Sequence, residues 1–195
     1  MGKLWVHKSG LNNLVMTQHH PSITLTNGTD MLIECADSRK IEFTYTQLNN
    51  PELLAYAKHK LPLHGILKQD ETKPYCYLKI SDDFIFQLFP LLNEKNIAIP
   101  EYFPPKQSGG AHISIMYQNE MEEKEIRMLD ELGQAFTFEI LDLGVIQAFY
   151  KTFFTLIVSS PALEQLRIKY GFQNRLNFHG LLVPFHITIA MGAGS

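Results

Sequence analysis

The chain has 195 residues, 45 % hydrophobic and 19 % charged, with a net charge of −3 and a pI near 6.2. That length buries a sizeable core as one domain with room for an appendage, and the acidic balance excludes a strongly basic nucleic-acid coat protein. No apolar run is long enough to span a bilayer, the Trp5 region does not read as a signal peptide, and Cys35 and Cys76 lack metal-type spacing, so a reduced cytoplasmic protein with inert thiols is expected.

The first part of the chain reads as β-rich. Ser22-Ile23-Thr24-Leu25-Thr26 alternates, Asn27-Gly28 is a turn pair, Met31 to Cys35 starts a second run, and Asp37-Ser38 turns into Ile41-Glu42-Phe43-Thr44-Tyr45. A helix follows: Asn50 is a good N-cap, Pro51 suits the first helical position, Glu52 favours the N-terminal dipole, and Pro62 ends it. Tyr75 to Ile80 reads as a strand, after which Ser81 or Asp82 caps a helix running through Leu92. Met121 to Leu132 is expected as a charged amphipathic helix ending at Gly133, and Phe136 to Leu143 as one strand. Phe153 to Val158 is a further strand, and Ser159 or Ser160 caps a helix with Pro161 near its start. The terminal residues 193–195 read as a flexible tail.

The segments His112-Ile113-Ser114-Ile115 and His186-Ile187-Thr188-Ile189 share one pattern. In an extended strand the His and the hydroxyl project from one face while the isoleucines enter the core. His-x-Ser/Thr is a short motif that also arises by chance, and it occurs at His7-Lys8-Ser9 and His20-Pro21-Ser22 as well. His7 runs into a turn, and the proline after His20 removes a ladder donor. Only the later pair alternates with apolar residues, and each of its members closes a strand–helix–strand unit. A unit used twice implies two lobes with approximate symmetry and the two His strands meeting at the seam. Two imidazoles and two hydroxyls in one cleft suit acid–base chemistry at a phosphodiester.

The pair His112/Ser114 and His186/Thr188 resembles the two-histidine (2H) phosphoesterases, over roughly residues 60–192. The resemblance implies an α+β, bilobal fold with two antiparallel sheets, flanking helices and a pseudo-twofold axis through a central cleft. Residues 1–59 would then be a β-rich N-terminal extension packed on the main domain. Proline directly precedes the second His in many members, whereas here Pro184 is one position earlier and Phe185 intervenes. The family opens 2′,3′-cyclic phosphates, cleaves 2′,5′-linked oligonucleotides or trims RNA ends, which implies a nucleotide or RNA-end substrate. No metal or other cofactor is expected. For a cyclic phosphate, His186 is assigned as the base on water and His112 as the acid towards the leaving ribose oxygen, with Ser114 and Thr188 donating to the non-bridging oxygens.

Substrate contacts are expected from Tyr117, where the first His strand leaves the cleft, and from Tyr150 and Lys151 at the start of the strand in the second half. Lys106 is a further candidate, in the Pro/Gly-rich loop Phe103 to Gly110. Phe185 points away from His186 by alternation and reads as core. His7 with His19 and His20, or His59 with His64, lack zincin spacing and read as surface imidazoles. The absence of a P-loop and of a Gly-x-Ser-x-Gly elbow weakens NTPase and serine-hydrolase readings. A non-catalytic nucleotide-binding module with a partner-recruiting N-terminal extension is the rival reading.

Overall fold

A computed structural model describes residues 29–34, 40–100, 103, 109–148, 151–178 and 180–193. The runs Ser22 to Thr26 and His7 to His20, together with Cys35, Lys106 and Tyr150, lie outside the described residues. The fold is α+β, built on antiparallel strands with short helices.

The larger sheet has six strands. β1 (Thr29–Glu34) and β2 (Lys40–Gln47) form an antiparallel pair, and β2 continues onto β8 (Glu139–Ala148), then β9 (Lys151–Ser159), β12 (His186–Ala193) and β5 (Ile97–Ala98). Residues 40–47 are therefore hydrogen-bonded into the sheet that carries the second His strand. The smaller sheet has the order β6 (His112–Met116), β4 (Cys76–Lys79), β3 (His64–Gln69), β7 (Ala135–Thr137). A separate ribbon pairs β10 (Leu176–Phe178) with β11 (Leu181–Val183).

Alternation explains where the core lies. Ile113 and Ile115 on β6, Leu78 on β4, Leu67 on β3, and Ile187 and Ile189 on β12 are all fully buried, while His112, Ser114, His186 and Thr188 on the opposite pleats are half-buried. Phe185 is in the core, as its position before the second His requires.

Helix α1 (Pro51–Lys60) starts where capping logic puts it: Asn50 Oδ1 accepts from Leu53 N at 3.0 Å, and Leu53 and Ala57 are buried. Helix α4 (Pro161–Lys169) is capped by Ser160, whose Oγ accepts from Leu163 N at 3.4 Å. The intervening helices depart from expectation. The helix expected through Leu92 breaks into α2 (Asp83–Phe86) and a 3₁₀ turn (Phe89–Leu92). Pro90 donates no N–H and disfavours an α conformation before it.

The helix expected over Met121 to Leu132 is instead α3 (Gln118–Glu123). It stops in a Schellman turn: Glu125 takes the left-handed conformation (φ 54°), Ile126 N bonds Met121 O at 2.9 Å and Glu125 N bonds Glu122 O at 3.1 Å. The expected strand Phe136 to Leu143 splits at Phe138, so that β7 joins one sheet and β8 the other. Each half of the repeat sends its helix to the other sheet: α2 contacts β12, and α4 contacts β6 and β7.

Candidate active site

His112 opens β6 and His186 opens β12, and these two strands contact each other across the junction of the sheets. The imidazoles are held alike. His112 Nδ1 lies 2.6 Å from Gly110 O, and His186 Nδ1 lies 2.9 Å from Pro184 O. A carbonyl only accepts, so both rings carry a hydrogen on Nδ1, and Nε2 is the basic nitrogen of each. The displaced proline of the second motif thus has a defined part, since its carbonyl orients His186.

Gly110 is equally constrained. It sits at φ +67°, and a Cβ there would run into the Lys79–Asp82 ion pair. Asp82 Oδ1 also accepts from Ala111 N at 2.9 Å, which anchors the chain immediately before His112. Asp82 therefore serves the site, and the hydroxyl that receives the first turn of α2 is Ser81, from Asp83 N at 3.2 Å.

Burial lowers the pKa of both histidines below the usual 6.5. For His112, positive charge on His186, Lys79 and Lys73 lowers it further, and the bond to Gly110 opposes the shift. Tyr77 and Tyr75 set ring edges against His112, with centroids 5.4 Å and 6.1 Å away, and supply part of the desolvation.

Ser114 sits in a tyrosine network. Its Oγ is 2.7 Å from the Tyr75 hydroxyl. Tyr75 and Tyr117 stack at 6.4 Å with a 10° interplanar angle, and burial pushes the Tyr117 pKa up. Thr188 lies opposite Thr155 on β9, next to a register shift between Thr188 and Ala190.

Under this site lies a buried ion pair. Arg167 and Glu120 are 1 % and 4 % exposed and form a bidentate pair, with Nη2 to Oε1 at 2.6 Å and Nη1 to Oε2 at 3.2 Å. The other guanidinium hydrogens go to the carbonyls of Ile115, Gln173 (2.8 Å) and Arg175 (2.6 Å), so all five donors are satisfied. Glu120 also accepts from the backbone N–H of Tyr117 (2.9 Å) and of Asn177 (3.2 Å). One carboxylate therefore ties the end of the first His strand to α3, α4 and β10.

Of the residues singled out in the sequence, His112, Ser114 and Tyr117 gather on one side of the strand junction and His186 and Thr188 on the other. Lys151 is not brought to them. It is exposed at the far end of β9 from Ile157, the residue opposite His186. Six residues of strand separate those positions, roughly 20 Å at 3.3 Å per residue. His59 and His64 are exposed. Among the described residues no group of three His, Cys, Asp or Glu is arranged to hold a metal ion, and no helix is long and apolar enough to cross a membrane. Sequence reasoning missed Tyr75, Tyr77, Lys79, Asp82, Glu120 and Arg167. The pairing of β4 with β6, which sets Tyr77 against Ser114 and Lys79 against His112, is what brings the first group to the site.

A family model described as Swiss Army Knife, 2H phosphoesterase domain, matches residues 76–194, more than half of the chain and including both His strands. The chain belongs to this two-histidine phosphoesterase family. Comparisons with characterised proteins and with solved structures give no significant match.

Proposed function

We propose that the chain is a metal-independent phosphodiesterase acting on a nucleotide or RNA-end phosphodiester, either a 2′,3′-cyclic phosphate or a 2′,5′ linkage. The observation that carries this reading is the matched mounting of His112 and His186: each gives its Nδ1 proton to a carbonyl two residues earlier and keeps Nε2 for proton transfer. Each is followed two residues on by a hydroxyl on the same pleat.

On a cyclic phosphate, His186 Nε2 takes a proton from water as the water oxygen bonds to phosphorus. The bond from phosphorus to the leaving ribose oxygen breaks, and protonated His112 delivers its Nε2 proton to that oxygen. Ser114 and Thr188 donate to the non-bridging oxygens, where charge builds up. Depressed pKa values leave both rings largely neutral at pH 7, which suits the base. The anionic phosphate raises the proton affinity of His112 on binding, which suits the acid. Tyr117, stacked on the Tyr75 ring whose hydroxyl meets Ser114, lies closer to the site than Lys151 does. The reading places the protein in a reducing cytoplasm, where the buried thiol of Cys76, its pKa raised by burial to about 12, stays inert.

The test is a panel of nucleoside 2′,3′-cyclic phosphates and 2′,5′- and 3′,5′-dinucleotides, assayed with wild type and with the double variant His112→Ala/His186→Ala. Turnover of at least one panel member by wild type alone is expected. Binding of AMP with no turnover anywhere in the panel would mark a non-catalytic nucleotide-binding module.

A further inference from the structure

Beside Ser114 opens a pocket of about 240 Å³. Tyr75, Tyr117 and Phe178 supply aromatic walls, Asn119 and Asn177 supply amides, and Lys73 stands at the rim with its ammonium 5.4 Å from the Tyr75 ring centroid. The Tyr117 and Phe178 centroids are 5.9 Å apart at 58°. One of the walls, Tyr75, is the residue whose hydroxyl meets Ser114, and Tyr117 stacks against it. The pocket therefore begins one tyrosine side chain away from the hydroxyl assigned to the phosphate.

Its size and lining narrow the occupant. Drug-sized ligands fill cavities of about 300–1,000 Å³, so this one accepts a single flat ring system and not a run of nucleotides. Aromatic faces offer stacking to any base, and asparagine amides offer a paired donor and acceptor to a base edge. A lysine at the rim attracts an anionic ligand. The walls are also fixed in advance, because Glu120 accepts from the backbone N–H of both Tyr117 and Asn177 and is itself clamped by Arg167.

We propose that this pocket is a nucleobase subsite, holding the base of the nucleoside whose ribose carries the reacting phosphate. The proposal rests on the phosphodiesterase reading for the position of that phosphate. The substrate class is then a nucleotide recognised through its base, and a bare sugar phosphodiester is a poor substrate.

The experiment compares a nucleoside 2′,3′-cyclic phosphate with methyl riboside 2′,3′-cyclic phosphate, which lacks the base. In parallel, calorimetry measures binding of a nucleoside 3′-monophosphate against inorganic phosphate. Wild type is expected to favour the nucleoside substrate by about 10- to 100-fold in kcat/KM, the range of one base–aromatic stack. Phe178→Leu keeps the apolar bulk of β10 and loses the aromatic face; exposed Asn119→Ala leaves the fold untouched. The preference should shrink several-fold in each.

Equal kcat/KM for the two substrates, or a preference intact in both variants, overturns the subsite while leaving catalysis standing. No turnover, but nucleoside monophosphate binding that exceeds phosphate binding and weakens in Phe178→Leu, keeps the subsite and overturns the catalytic reading. Neither turnover nor binding overturns both.

Discussion

At the residue scale, the site depends on two imidazoles whose proton affinity is lowered by the shell around them. His112→Ala and His186→Ala are each expected to remove most activity. Ser114→Ala and Thr188→Ala should lower kcat by about 10- to 10³-fold, the usual cost of one oxyanion donor. Because kcat/KM reports the free enzyme, its bell-shaped pH profile should have its maximum below pH 6.5, where one depressed imidazole is protonated and its partner is not. A maximum well above pH 7 would contradict the burial argument.

The same shifts set a stability trend. Between the folded and unfolded imidazole pKa values the unfolded chain binds more protons, so stability rises with pH through that window. It is fully present above about 6.5 and falls as the pH drops towards the folded values. Urea melts at pH 7 and pH 5 should show a smaller acid-induced loss for His112→Gln than for wild type. The His-x-Ser and His-x-Thr spacing was legible in the sequence because it is local. Tyr75, Tyr77, Lys79 and Asp82 were not, because only the β4–β6 register brings them to His112.

At the element scale, capping chemistry predicted well where it acted alone. Asn50 and Ser160 start helices α1 and α4 as their residue types require, and Asn50→Ala should cost about 1 kcal/mol in a denaturant melt. Apart from the break at Pro90, prediction failed where a tertiary partner outbid local propensity. Met121 to Leu132 has helical composition, yet the chain leaves the helix at Glu125, while Glu120 in the turn before is drawn into the buried pair with Arg167. Arg167 itself reads in sequence as one more charge on an amphipathic helix, and nothing local marks it as buried.

Removing one partner of that pair strands the other charge without compensation. Arg167→Met is expected to destabilise by about 3–5 kcal/mol, and Glu120→Leu/Arg167→Met to recover much of the loss. A single variant as stable as wild type would show that the pair is not what ties β6, α3 and α4 together.

At the scale of the whole molecule, the repeated strand–helix–strand unit explains why two sheets and one site arise from one chain. β4 pairs with β6 and β9 with β12, each helix crosses to the other sheet, and the two His strands meet where the sheets join. The repeat was visible in the spacing of Ser and His and implied two lobes, while the α+β two-sheet architecture came with the family resemblance of the two His motifs. The split of Phe136 to Leu143 between both sheets was not visible, because an unbroken alternating run carries no sign of a change of partner at Phe138.

The central claim is that these two symmetry-related histidines act as one acid–base unit that needs no metal. Its most direct measurement is turnover of a nucleoside 2′,3′-cyclic phosphate in excess EDTA by wild type, by each single His→Ala variant and by the double variant. Groups acting as a unit are non-additive. The expected result is full wild-type activity in EDTA, with either single variant as inactive as the double. Loss of wild-type activity in EDTA, or substantial turnover surviving in His112→Ala or His186→Ala, would contradict it.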